Sequence, residues 1–184
     1  MYKYIVLIFS LTISTLAFST DVFEQLFPYD YGEFDGEFDD KWQEDKLSLP
    51  NFPESGNLIE FSGPANYSQY QYSLDGETLK VGKDGIVRYV AVISSSAGSK
   101  NIYYQGISCK KKMMKKYAYG DSSHSKFIVN QNPQWEMLRR TGAMGYTDNL
   151  FSFYFCNRMG AVLSQDEIIN RLKYGQGEYD SEYY

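Results

Sequence analysis

Histidine is almost absent: His124 is the only one in 184 residues. A Ser-His-acid hydrolase needs an imidazole to accept the serine proton, so that chemistry has one candidate base, set in the polar turn Asp121-Ser122-Ser123-His124-Ser125. Loop neighbours rarely meet in triad geometry, and His124 reads as a solvent-exposed loop residue. With one histidine and two cysteines, the usual four-ligand zinc sets are out of reach, and neither metal nor cofactor is expected. Positive charge is also in deficit, 18 Lys and Arg against 23 Asp and Glu. Nucleic-acid-binding domains are normally basic, so no nucleic acid partner is expected. Gly82-Lys83-Asp84-Gly85 is hairpin punctuation between strands, because a phosphate loop needs a helix N-terminus next.

Long apolar runs are missing too. Ile5 to Leu16 falls well short of the roughly 20 residues of a spanning helix, and acidic Asp21 and Glu24 follow it where a stop-transfer segment has basic residues. Lys3 before the run and small Ala17 and Ser19 after it complete the order of a secretory signal peptide. Cleavage is expected before Thr20, with a cut after Ala17 as the alternative. No cysteine lies there to carry a lipid, so the mature chain is expected to be soluble, without a transmembrane segment, in the periplasm or cell envelope. Cleavage removes Lys3 alone among the charged residues, leaving the mature chain one unit more acidic than the full chain's −5.

Cys109 and Cys156 then pass through an oxidising space, where an even count of two permits one bridge. Closing the long loop between them is worth about 4 kcal/mol in the chain-entropy model. A redox pair is the weaker reading, because such pairs sit at C-x-x-C spacing.

Residues 20–46 form an acidic, aromatic-rich arm, as in Glu33-Phe34-Asp35-Gly36-Glu37-Phe38-Asp39-Asp40. High charge disfavours autonomous folding, so the arm is expected to be partly flexible, with the part around Trp42 able to dock. Pro50 and Pro53 make a stiff extended lead into a single domain over 47–175. Short strands are predicted over 57–62, 67–73 and 79–81, with turns at Asp75-Gly76 and Asp84-Gly85. Ile86 to Ser94 is a β-branched run with Val87, Tyr89, Ala91 and Ile93 on one face and Arg88, Val90 and Val92 on the other. Asn101 to Cys109 returns beside it. Further strands are expected over 110–119, ending at Gly120-Asp121, and over 126–129. The period then changes. Thr147-Asp148 caps a helix over 149–157, and Ser164-Gln165-Asp166-Glu167 is a capping box opening a second helix to Gly175. Strands followed by helices predict an α+β domain built on an antiparallel sheet, with a β-sandwich as the alternative. The tail 176–184 is expected to be disordered.

Several short motifs, taken in order, resemble an uncharacterised family of proteobacterial envelope proteins named after a cryptic neisserial protein. They are Leu49-Pro50 with Phe52-Pro53, Ser73-Leu74 through Leu79 and Val81-Gly82, Asp84-Gly85-Ile86-Val87-Arg88-Tyr89, Tyr104-Gln105-Gly106-Ile107-Ser108-Cys109, Tyr117-Ala118-Tyr119-Gly120, Asn132-Pro133-Gln134-Trp135 and Tyr154-Phe155-Cys156. The resemblance implies export to the envelope and no particular activity, and it puts both cysteines inside family-like motifs. The acidic arm and the tail lie outside it.

Five positive charges, Lys110, Lys111, Lys112, Lys115 and Lys116, stand together in this acidic chain. On a strand, Lys110, Lys112 and Lys116 face one way and Lys111 and Lys115 the other. An edge strand is their expected home, where lysines block sheet-to-sheet aggregation. The functional reading is an anion contact, made either by the acidic arm between Asp30 and Asp40 or by an outside polymer or partner. Glu60, Asp75, Glu77, Asp84, Glu136, Asp148, Asp166 and Glu167 read as turn, cap or surface groups, and no pair stands out for glycosidase chemistry. Tyr103, Tyr104, Tyr117, Tyr119 and Trp135 read first as sheet packing. The functional expectation is a non-catalytic binding or accessory component, its partner an envelope component or a secreted protein. Two alternatives stand beside it: a hydrolase of an envelope polymer, which would show convergent carboxylates or His124 bonded to a serine, and an inhibitor of a secreted enzyme.

Overall fold

The β-branched run after Asp84-Gly85 becomes the spine of the fold, strand β4 (Ile86–Ser95). Its first eight residues are all buried, which at roughly 1.5 to 3 kcal/mol per fully buried large apolar side chain makes it a major contributor to the core. In this computed structural model the described residues are 41–175, apart from 139–141 and 143, and all lie in one compact unit, Phe34–Tyr184. The expected signal peptide, the arm up to residue 40 and the tail 176–184 lie outside the described residues.

Seven other strands surround β4: β1 (Leu58–Phe61), β2 (Tyr70–Asp75), β3 (Lys80–Val81), β5 (Lys100–Ser108), β6 (Met113–Asp121), β7 (Lys126–Val129) and β8 (Trp135–Met137). They form one eight-stranded sheet in the order β1-β2-β4-β5-β6-β7, with β3 beside β4 and β8 beside β6. Every recorded pair is antiparallel. The expected β4–β5 hairpin is present, from Ile86 opposite Ser108 to Ser94 opposite Lys100.

Two helical pieces follow, giving an α+β arrangement. Helix α1 (Tyr146–Asn149) runs into a wide π-type helix over Leu150–Phe155. The capped helix expected over 149–157 is corrected here: Thr147 Oγ1 donates back to the Met144 carbonyl at 2.8 Å, and no side chain caps the start. The widening has a packing reason. Leu150 and Phe155, five residues apart, are both fully buried, a spacing that suits π turns better than 3.6 residues per turn. Helix α2 (Gln165–Tyr174) begins as predicted, with Ser164 Oγ accepting from the Glu167 amide at 3.3 Å.

Alternation gives the sheet two apolar faces. One carries Leu74, Val87, Tyr89, Ala91 and Ile107 against Tyr146, Leu150, Phe155, Ile168 and Leu172 of the helical pieces. Buried Gln105 joins the layers, its Oε1 accepting from Tyr146 OH at 2.8 Å and Tyr89 OH at 3.2 Å. The disulfide Cys109–Cys156, Cα atoms 5.6 Å apart, staples the end of β5 to the end of the π helix. The second face carries Val90, Val92, Ile102, Tyr104, Tyr117 and Ala118 and takes Phe52 of the N-terminal lead against it, with Phe52 5.4 Å from Phe127.

Candidate functional site

One row of cross-strand neighbours on the second face carries the polar chemistry: Arg88 opposite Gly106, Gly106 opposite Lys115, and Lys115 opposite Trp135. Gly106 is the gap in that row. A Cβ there would lie 2.6 Å from Tyr117 OH and 2.9 Å from Ile86 Cγ2, so its absence leaves the Tyr117 ring the space over this position. A register shift between Tyr104 and Gln105 marks a bulge on β6. Tyr117 packs at a tilt against Tyr104, ring centroids 5.4 Å apart, under the Arg88 guanidinium at 5.8 Å and the Lys115 ammonium at 5.7 Å.

Arg88 is itself held. Its Nη1 and Nη2 donate to the two oxygens of Asp84 at 3.0 and 2.5 Å, a bidentate pair whose side chains are 8% and 1% exposed. Gly82 leaves room for it, since a Cβ there would meet Asp84 Oδ1 and Arg88 Nη1. Burial alone would raise the Asp84 carboxyl, but the Arg88 hydrogen bonds, with those from the Asp45 and Ile86 amides, outweigh it and hold the group below the usual carboxylate range. Burial, then the hydrogen bond to Glu44, push the Tyr117 hydroxyl far above its ordinary value, so it stays a donor.

The occupant of this site is the chain's own segment 42–45, which lies over the row as a strap. The Glu44 carboxylate accepts from Lys115 Nζ at 2.8 Å, from Tyr117 OH at 2.5 Å and from Arg88 Nη2 at 3.5 Å. Trp42 Nε1 donates to the Asp84 carbonyl at 3.0 Å, and its ring meets Trp135 edge-on at 6.2 Å. The Asp45 amide donates to Asp84 Oδ2, and Asp45 Oδ2 accepts from the Lys83 amide. Beside the strap opens a pocket of about 350 Å³ whose walls include Trp42, Gly85, Cys109, Lys110, Lys111 and Gly160.

The five lysines do not share one strand, a correction to the strand expected over 110–119, because β6 begins only at Met113. Lys110, Lys111 and Lys112 precede β6 in its turn, with Lys112 at a positive φ of 50°. Lys110 and Lys111 line the pocket, Lys112 sits 5.5 Å over the Phe151 ring, Lys115 holds Glu44, and Lys116 pairs Glu136 at 3.8 Å. Nor is β6 an edge, because β5 flanks one side and β7 and β8 the other. Asp30 to Asp40 lie outside the described residues.

A profile of the CNP1-like family matches residues 37–173. The chain belongs to that family. The chain is also 27% identical over 155 residues to Cryptic neisserial protein 1 of Neisseria gonorrhoeae, covering 76% of this chain and 75% of the relative. No solved structure matches. The family match begins inside the arm, so Trp42 and Glu44 fall within it, whereas the sequence reading had left the whole arm outside.

Elsewhere in this CNP1-like chain, His124 is 68% exposed and its Nδ1 lies 2.7 Å from Asp121 Oδ2; its recorded side-chain partner is that aspartate and not a serine. Among the described residues, no group of three or more His, Cys, Asp or Glu side chains is placed to hold a metal ion, and no helix is long and apolar enough to cross a membrane. Sequence reasoning missed Arg88 and Glu44 as site residues and read Asp84 as a turn group only. An arginine in the β-branched run was the available signal, since a buried cation demands an acidic partner.

Proposed function

We propose that this protein is exported to the periplasm or cell envelope, loses its first nineteen residues, and works there as a non-catalytic binding or accessory component whose ligand is anionic. The binding reading is carried by one observation: Arg88, Lys115 and Tyr117 converge on a single carboxylate. Three donors preset by a buried row are a receptor for an anion. Export is supported by the order of Lys3, the apolar run and small Ala17 and Ser19, and by a disulfide of the kind that persists in oxidising compartments. Lys110, on the pocket wall, extends the positive field beyond the strap.

Salt elution of the mature protein from an anionic resin tests the binding reading. The strap-releasing pair Trp42→Ala and Glu44→Gln is expected to elute at higher salt than Glu54→Gln, which removes an equal charge at an exposed site. Adding Lys115→Met should bring elution back. Equal elution of the strap-released and Glu54→Gln proteins would refute an anion site under the strap.

A further inference from the structure

We propose that residues 42–45 are an internal ligand, and that the site beneath them captures an extended segment of another protein with an aromatic side chain two residues before a carboxylate. The inference rests on the anion-binding reading and names its ligand. Trp42 and Glu44 are turned inward while Lys41, Gln43 and Asp45 are exposed, the period-two pattern of an extended chain. The two inward side chains meet different chemistry. The carboxylate of Glu44 is read by Lys115, Tyr117 and Arg88. The indole of Trp42 is read by the edge of Trp135 and by the Asp84 carbonyl, and it forms one wall of the 350 Å³ pocket. Just after them the main chain is read as well, because the Asp45 amide donates to Asp84 Oδ2 at 2.9 Å. An inorganic anion satisfies the first contact and neither of the others, so the site is built for a polypeptide.

Exchange is structurally cheap. Segment 42–54 takes no part in any helix or strand, so lifting the strap unmakes no ladder hydrogen bond. Leu47 and Leu49 in its tether are exposed. A tethered segment competes at an effective concentration in the millimolar range, so a free peptide identical to the strap displaces it only near that concentration. A second copy of this chain faces the same barrier. The partner is therefore a different protein, one that adds contacts of its own along the pocket lined by Lys110 and Lys111.

The test uses the full mature chain and a fluorescent synthetic peptide carrying residues 38–48, followed by anisotropy. Strap-released protein (Trp42→Ala with Glu44→Gln) is expected to bind this peptide at least tenfold more tightly than wild type, and Glu44→Gln alone to fall between them. Peptides with either Trp42→Ala or Glu44→Gln should each lose at least tenfold. If polyglutamate binds the released protein as well as the peptide does, the site is a plain anion receptor: the broader reading stands and this inference falls. If neither peptide nor polyglutamate binds a released protein that still melts cooperatively, both fall. If the released protein does not fold, the Glu44→Gln chain carries the comparison, and equal affinity in it and wild type overturns the inference. A micromolar complex between wild type and the released variant would instead assign the site to a second copy.

Discussion

Removing the Arg88 guanidinium, as in Arg88→Met, tests the physics of the site apart from its ligand. The change strands the Asp84 carboxylate, whose side chain is 1% exposed. Breaking a buried ion pair from one side costs about 3 to 5 kcal/mol. The Asp45 and Ile86 amides still reach the carboxylate, which places the loss near the lower figure, about 3 kcal/mol. A chain of this size loses about 2 to 4 °C of Tm per kcal/mol, so a fall of roughly 6 to 12 °C is expected at pH 7. The pH dependence follows from Asp84. Its folded pKa is depressed in the wild type, so its contribution is fully present above the unfolded value of about 3.9 and is lost as pH falls through the folded value. Without Arg88, burial is left to raise the group, and the variant gains relative to wild type as acid protonates it. The Tm gap should therefore be widest near neutrality and narrow below about pH 4. Thermal unfolding followed by circular dichroism at the two pH values measures this, with Arg88→Met combined with Asp84→Asn expected to recover part of the loss. A gap under about 1 kcal/mol, or one that does not change with pH, would refute the argument.

Three further outcomes are expected. Mass analysis after alkylation should find no free thiol until reductant is added, and Cys156→Ala should destabilise the chain by about 4 kcal/mol in denaturant titration. Gly106→Ala forces its new methyl against Tyr117 OH and Ile86 Cγ2, and should cost about 1 to 3 kcal/mol while weakening the strap, read as faster proteolysis before residue 50. N-terminal sequencing of protein recovered from the periplasm should begin near Thr20, and an intact Met1 would defeat the export reading.

The β4–β5 hairpin was legible because a long β-branched run with period two leaves little choice of face: Val87, Tyr89, Ala91 and Ile93 all lie in the helix-side cluster, and Val90 and Val92 in the other. The α2 cap was legible for a local reason, since Ser164 and Glu167 bond within one turn. Other features depend on distant partners. Strand β8 is three residues in a polar stretch, held by pairing with β6, and nothing in its own pattern announces it. Strict alternation from Lys115 puts Tyr119 on the strap side, but the bulge sends Ala118 there and leaves Tyr119 beside Tyr103 on the other face. The strap was half legible: a docking segment around Trp42 follows from its aromatics, whereas the cleft that receives it is assembled from distant residues, from Lys83 beside Asp45 to Trp135 beside Trp42.

Those separations set an order of events. Glu44 finds Lys115 and Tyr117 only after 71 and 73 positions of chain have been made, and Trp42 meets Trp135 later still, when β8 is in place. A segment near the front of the chain thus waits for nearly the whole sheet before it has anywhere to sit. A seated strap is consequently a mark of completed assembly: a molecule truncated or misregistered at β6 or β8 keeps its acidic segment loose, and a protease that cuts before residue 50 would discard such molecules while sparing finished ones.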